Sequence, residues 1–166
     1  DWFIWEDKQP KGWNTFAGEP WREGNQRWYY GVFDAGMPDF NLRNPKVVDF
    51  HLDNLRFWLN RGVDGFRFDA VGNLVENGPA AWESQPQNYT LMNQVRQLVG
   101  GYAQRLLVCE SPNDPPGFAA ACGSAFAFGH QFDIVNAARG NTTAVAAVAD
   151  YFRSAPAGLS TMVSNH

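Results

Sequence analysis

An α/β fold, built from βα units around a parallel sheet, is what this sequence predicts, and three observations carry that expectation. From Asn44 onward, stretches of helical periodicity alternate with short apolar or alternating runs suited to strands. One of those runs, Leu106 to Cys109, is continuously apolar, as expected of a parallel strand buried on both faces. No glycine-rich phosphate fingerprint follows any of the strand candidates, which counts against a dinucleotide-binding sheet. The pattern by itself leaves a closed barrel and an open, doubly wound sheet both available.

Each element has its own signature. Asn44-Pro45 reads as a helix start, with Asn as the N-cap and Pro at the first helical position. Val48, Leu52, Leu55, Trp58 and Leu59 then recur at helical spacing, and Gly62 suits the stop. Residues 63–69 form a short strand candidate. A second helix is expected over 90–100, with Leu91, Val95, Leu98 and Val99 on one face. After Leu106–Cys109 comes a turn-rich stretch, 111–123, with one short helix near 118–121. Residues 131–135 are expected to form a strand. A helix follows over 142–153, with Val145, Val148, Ala149 and Phe152 facing inward, and a last strand over 159–164. Residues 1–43 differ in kind: rich in Trp, Gly, Pro, Asn and Asp, they read as an irregular excursion.

Composition narrows the function classes. The 166 residues suffice for one domain with a sizeable core. A net charge of −4 and the lack of any basic stripe argue against a nucleic-acid partner. No apolar stretch of about 18 residues is present, so no membrane-spanning helix is expected. The two cysteines, Cys109 and Cys122, cannot make a disulfide framework or a four-thiolate metal site. Cys109 closes an apolar run and reads as a buried structural thiol, with a Cys109–Cys122 disulfide as the alternative that the sequence does not support. Asn88 and Asn141 each open a glycosylation sequon, a pattern short enough to arise by chance. Aromatic residues make up 15% of the chain, enough for a sugar-stacking surface or an aromatic-packed subdomain. Compartment and oligomeric state stay open.

The chemistry-bearing residues stand at strand ends. Alternation along residues 65–69 puts Arg67 and Asp69 on one face and Phe66 and Phe68 on the other. In a barrel the charged pair would point inward at the C-terminal end of its strand, where such folds place their active sites. A guanidinium beside Asp69 favours the anion that a nucleophilic carboxylate must be. Glu110 ends the apolar run and precedes the loop-forming Ser111-Pro112-Asn113-Asp114-Pro115-Pro116. That shielded position suits a general acid. Two carboxylates on neighbouring strand ends match the glycosidase arrangement. A buried ion pair for Arg67–Asp69, and a solvated loop carboxylate for Glu110, are the plain structural alternatives. His166 stands at the end of the last strand candidate.

Together these residues resemble the α-amylase superfamily, glycoside hydrolase family thirteen. Gly65-Phe66-Arg67-Phe68-Asp69-Ala70-Val71 is similar to the fourth-strand motif of that family. Glu110 falls where its fifth-strand acid/base is expected, and Ser164-Asn165-His166 resembles the start of the seventh-strand motif. Met37-Pro38-Asp39-Phe40-Asn41 resembles a further motif near the end of the subdomain inserted after the third strand. The resemblance implies a partial (β/α)8 TIM barrel of about strands four to seven. Residues 1–43 would close the inserted subdomain, and residues 44–166 would be the catalytic barrel segment. A complete barrel has eight strands and about 250 residues, so a fragment of a longer enzyme, inactive in isolation, is expected. The family's first motif, and the acid that follows the His of the seventh-strand motif, do not occur in the chain.

By the same resemblance Asp69 is the nucleophile and Glu110 the acid/base, while Arg67 and His166 contact substrate or support the nucleophile. The substrate would be an α-glucan or oligosaccharide. Gly72-Asn73 after the fourth-strand motif is closer to the α-glucosidase and trehalose-synthase branch, and Ala70 to its α-1,4-preferring members. The resemblance therefore implies a retaining α-glucosidase-like hydrolase. The alternatives are an endo-acting α-amylase, a transglycosidase or isomerase, and a non-catalytic family member. No cofactor is required and no metal ligand is assigned; structural calcium occurs in relatives, but its expected upstream ligands are not among these residues.

Overall fold

A computed structural model describes residues 1–163. The chain divides into two compact units. One comprises Asp1–Gly62 with Gly72–Asn88, the other Val63–Val71 with the residues from Tyr89 on.

The first unit contains a three-stranded antiparallel sheet of β1 (Trp5–Glu6), β2 (Trp21–Gly24) and β3 (Arg27–Tyr30) in the order β1-β3-β2. Residues 1–43 are therefore not wholly irregular. A two-residue turn joins β2 to β3, and both of its residues, Asn25 and Gln26, have positive φ, 50° and 62°. Such a turn matches the twist of the flanking strands. Behind the sheet, Trp21, Tyr30 and Val32 are buried, with Ile4, Trp13, Trp28 and Trp82 packed against them. Trp13, Trp21 and Tyr30 meet one another edge to face at 5.3–5.8 Å. Much of the tryptophan thus fills a core.

Asp39, the acid of the Met37-Pro38-Asp39-Phe40-Asn41 motif, locks the end of β3. Its backbone N–H donates to the Tyr30 carbonyl at 2.9 Å, and its carboxylate accepts from the Val32 N–H at 2.9 Å. Burial, opposed by that N–H and reinforced by the nearby Glu76 charge, pushes the Asp39 carboxyl up to about 6. Its ordinary value is 3.8, so the folded state holds the proton more tightly than the unfolded chain does. The contribution to stability is therefore full below about pH 4 and is lost as pH rises through about 6. An Asp39→Asn variant keeps the acceptor for Val32 but carries no charge. We expect it to flatten this part of the pH–stability curve and to exceed the parent above pH 6 by on the order of 2 kcal/mol. Thermal melts between pH 4 and 8 test this; curves of the same shape for variant and parent would refute it.

Helix α1 (Pro45–Leu59) starts as its sequence indicates: Asn44 is the N-cap and its side chain accepts from the Lys46 N–H. Val47 and Leu59 are buried, whereas Trp58, one of the residues recurring at helical spacing, is 52% exposed. Farther on, Arg43 reaches Glu76 and Asn77, both at 2.8 Å, and so ties the 72–88 segment to the rest of this unit.

The second unit is built on a four-stranded parallel sheet, β4 (Gly65–Phe68), β5 (Leu106–Cys109), β6 (Ala125–Phe126) and β7 (Leu159–Ser160), neighbours in that order. Helices α2 (Pro86–Gly100), α3 (Pro115–Cys122), α4 (Gln131–Ala138) and α5 (Thr142–Ser154) lie along the chain between successive strands. Gly65 is required by proximity, since a Cβ there would collide with the Leu106 carbonyl of β5. In β5, Leu107 and Cys109 are buried but Leu106 is 63% exposed. Burial on both faces, as expected for this strand, is therefore not observed, and the Leu106–Val108 face is the more open one.

Three expectations are corrected in this unit. Residues 131–135 are not a strand but the start of α4, and the strand of that repeat is the two-residue β6 upstream. Helix α5 turns Ala144 and Tyr151 inward, while Val145 and Phe152 are 51% and 59% exposed. Its inner face is thus set by small residues and by Tyr151, which stacks on His130 at 3.7 Å. Cys109 is not a free thiol but is bonded to Cys122.

Candidate active site

Three charged side chains meet at the ends of β4 and β5. The parallel register pairs Arg67 with Val108 and Phe68 with Cys109. Continued by one residue, it sets Asp69 beside Glu110, on the face that also carries Arg67. Phe66 and Phe68 occupy the opposite face, their rings 6.2 Å apart. Arg67 then bridges the two acids. Its Nη1 lies 3.3 Å from Asp69 Oδ2, and its Nη2 is in direct contact with Glu110 Oε2.

The two carboxylates differ in surroundings. The Asp69 side chain is 67% exposed and open to an incoming molecule, whereas that of Glu110 is only 12% exposed. An exposed carboxyl group beside a shielded one, both on one guanidinium, is an arrangement suited to acid/base-assisted displacement.

Backbone hydrogen bonds fasten the two strand ends together. The Glu110 N–H donates to the Phe68 carbonyl at 2.8 Å, and the Val71 N–H donates to the Glu110 carbonyl at 3.0 Å. Between them, Ala70 adopts φ 45°, a left-handed conformation unusual for a residue with a Cβ. The cost, on the order of 1 kcal/mol, is borne directly beside Asp69. Nothing in the sequence marked Ala70 for this conformation; it is read from the backbone alone. Asn165 and His166 lie outside the described residues.

Other features sort away from this centre. A cleft of about 460 Å³ is lined by Phe128, His130, Asp133, Asp150 and Tyr151 among others, and none of the three bridged residues borders it. In the first unit, Phe16 and Phe33 are 59% and 41% exposed, 5.2 Å apart, with Trp82 at 5.8 Å from Phe16. This open aromatic surface was not singled out from the sequence, where its members are far apart. Both sequon asparagines have structural duties: Asn88 is buried and donates to the Gly72 carbonyl, and Asn141 caps α5. Among the described residues there is no group of three or more His, Cys, Asp or Glu that could hold a metal ion. No helix among them is long and apolar enough to cross a membrane.

Residues 1–147 match the family model described as alpha amylase, catalytic domain. A trehalose synthase from a Pimelobacter species is 34% identical over 113 residues, which is 68% of this chain and 19% of that protein. Maltase A2 of Drosophila melanogaster is 35% identical over 112 residues, covering 54% of this chain and 20% of the maltase. The chain thus spans about a fifth of the length of these relatives. Among solved structures, the alpha-amylase from H. orenii superposes with a TM-score of 0.74 at 26% identity, covering 99% of this chain and 36% of that one. The alpha-glucosyl transfer enzyme XgtA superposes with a TM-score of 0.78 at 22% identity over the whole chain and 38% of its own. With this likeness the parallel β4–β7 sheet and its helices are an arc of a (β/α)8 barrel.

Proposed function

Because this chain belongs to the alpha-amylase catalytic-domain family, we propose that it carries the reacting carboxylates of a retaining glycosidase acting on α-1,4-linked glucosides. The observation that carries this reading is Arg67 bridging Asp69 and Glu110 at adjacent strand ends. Asp69 attacks the anomeric carbon while Glu110 gives its proton to the departing glycosidic oxygen, and a covalent glucosyl-enzyme forms. Glu110, now a carboxylate, takes a proton from water. That water attacks the same carbon, frees Asp69 and releases glucose with the α configuration retained. Arg67 keeps Asp69 oriented, and His166 holds a sugar hydroxyl. Residues 44–166 supply barrel strands four to seven, and residues 1–43 close the subdomain inserted before them. In the first unit the exposed Phe16 and Phe33 rings, with the half-buried Trp82 beside Phe16, are of the kind that packs against sugar rings.

Proton NMR of the first product, taken before mutarotation, tests the mechanism on the full-length protein. We expect α-glucose from an aryl α-glucoside, whose only glucose comes from the reacting carbon, and faster turnover of maltose than of isomaltose. Initial β-glucose from the aryl glucoside would reject retention, and a preference for isomaltose would reject the linkage. The similarity to trehalose synthases favours a second reading, in which the glucosyl-enzyme is intercepted by the departing sugar rather than by water. Trehalose appearing from maltose in place of free glucose would select it.

A further inference from the structure

We infer that the Cys109–Cys122 disulfide is a positioning device for the acid/base carboxylate, an inference that rests on the assignment of Glu110 to that role. Cys109 immediately precedes Glu110, so whatever fixes its Cα also fixes where the Glu110 side chain departs from the strand. On one side β5 is well held, with four residues in register with β4. On the other side the sheet is thin: β6 has two residues, and a single pair, Cys109 with Ala125, joins it to β5. Apart from that pair the link consists of the Cys109 N–H donating to the Ser124 carbonyl at 3.0 Å and the Ser124 hydroxyl donating to the Leu107 carbonyl at 2.7 Å. The disulfide adds a covalent link at this weak edge.

Its far end is itself immobilised. Cys122 is the last residue of α3, and Gly123 follows in a left-handed C-cap with its N–H donating to the Ala119 carbonyl. At the other end of α3, Asp114 accepts from the Gly117 N–H at 3.0 Å and from the Tyr89 hydroxyl at 2.7 Å. Phe118, in the middle of the helix, is fully buried and stacked on Tyr89 at 4.3 Å. The bond therefore runs from the residue before Glu110 to a helix fixed at both ends. It joins residues separated by 13 positions, and the stretch between them contains Glu110 and the whole following loop. Both cysteines are buried, at 0% and 2% exposure, so the bond is placed to hold geometry rather than to meet reagents in solution.

The test compares the full-length protein with its Cys109→Ala/Cys122→Ala variant, each normalised to folded protein. Turnover is measured on maltose, which needs acid assistance, and on an aryl glucoside with a good leaving group, which does not. For the variant we expect kcat on maltose to fall by roughly ten- to a hundredfold, the scale of an ångström-level misplacement, with KM changed by less than about twofold. The aryl substrate should suffer much less in its first step, and the basic limb of the pH–rate profile should move. Refolding the parent with dithiothreitol should give the same pattern. There the dithiol passes two electrons and two protons to the two sulfurs and closes to its own cyclic disulfide. A variant that melts earlier but keeps the parent kcat and pH profile would show a merely structural bond and overturn the inference. So would free thiols at both positions in the unreduced, denatured protein. Should the double alanine variant not fold, the bulkier Cys109→Val/Cys122→Ala pair takes its place; failure of that pair as well would mark the bond as a global staple and equally overturn it. If Glu110→Gln leaves maltose turnover intact, the assignment of Glu110 fails. If Glu110→Gln abolishes turnover and the cysteine variants are silent, only the positioning role fails.

Discussion

Asp69→Asn and Glu110→Gln should both abolish maltose turnover in the full-length protein, but they should fail in different ways. The asparagine cannot form the glycosyl ester, so Asp69→Asn should lose at least roughly 10⁴-fold in kcat on every substrate, whatever its leaving group. Glu110→Gln removes a proton donor, a loss of about 10²–10⁴-fold where the leaving group needs that proton. An aryl glucoside that departs unaided should therefore still glycosylate Asp69 in the Glu110→Gln enzyme. It should then stall, because water has lost its base, and a burst of phenol followed by slow turnover is the expected trace. The difference in exposure fits these roles: the 67% exposed Asp69 is open to an incoming anomeric carbon, and the 12% exposed Glu110 is shielded from solvent. Two variants with the same leaving-group dependence would contradict the division of roles.

How far this centre could be read in advance depended on how local its causes are. The period-two alternation at residues 65–69 fixes which side chains share a face, and the strand needs no partner to impose that. Leu106–Cys109 was legible because an apolar run bounded by polar residues already gives its length and its end, and Glu110 follows. Helix α1 carries its own start in Asn44-Pro45. What escaped was decided at a distance or by the backbone. Strand β6 is two residues long, too short for any period, and exists because β5 and β7 flank it. Residues 131–135 hold Phe, Ile and Val in a window that suits either period, and the helix won. The β2–β3 hairpin turns on Asn25-Gln26, and Gln lacks the usual turn signature for positive φ. The disulfide needed the return of α3 toward β5, and cysteine spacing alone does not specify that.

Arg67→Met tests the bridge itself and should be costly in two separable ways. Glu110 would remain shielded with its contact to a guanidinium gone, and a buried carboxylate left without its partner destabilises a fold. Arg67 is 36% exposed and its Asp69 arm faces solvent, so that arm contributes about 0–1 kcal/mol. The Glu110 arm should account for most of the loss, roughly 1–3 kcal/mol at pH 7. Adding Glu110→Gln to Arg67→Met should restore much of that stability, since the stranded charge is then absent. Activity should not return with it. Both carboxylates lose the group that sets their relative positions, and kcat/KM should fall by about 10²–10³-fold. Arg67→Lys should recover little, because an ammonium is a point charge and cannot offer two nitrogens to two acids at once. Chemical denaturation of the single and double variants, alongside their kinetics, separates the two effects. Parent-like turnover in Arg67→Met would remove the bridge from the mechanism, and equal stability of the single and double variants would remove Glu110 as the charge it compensates.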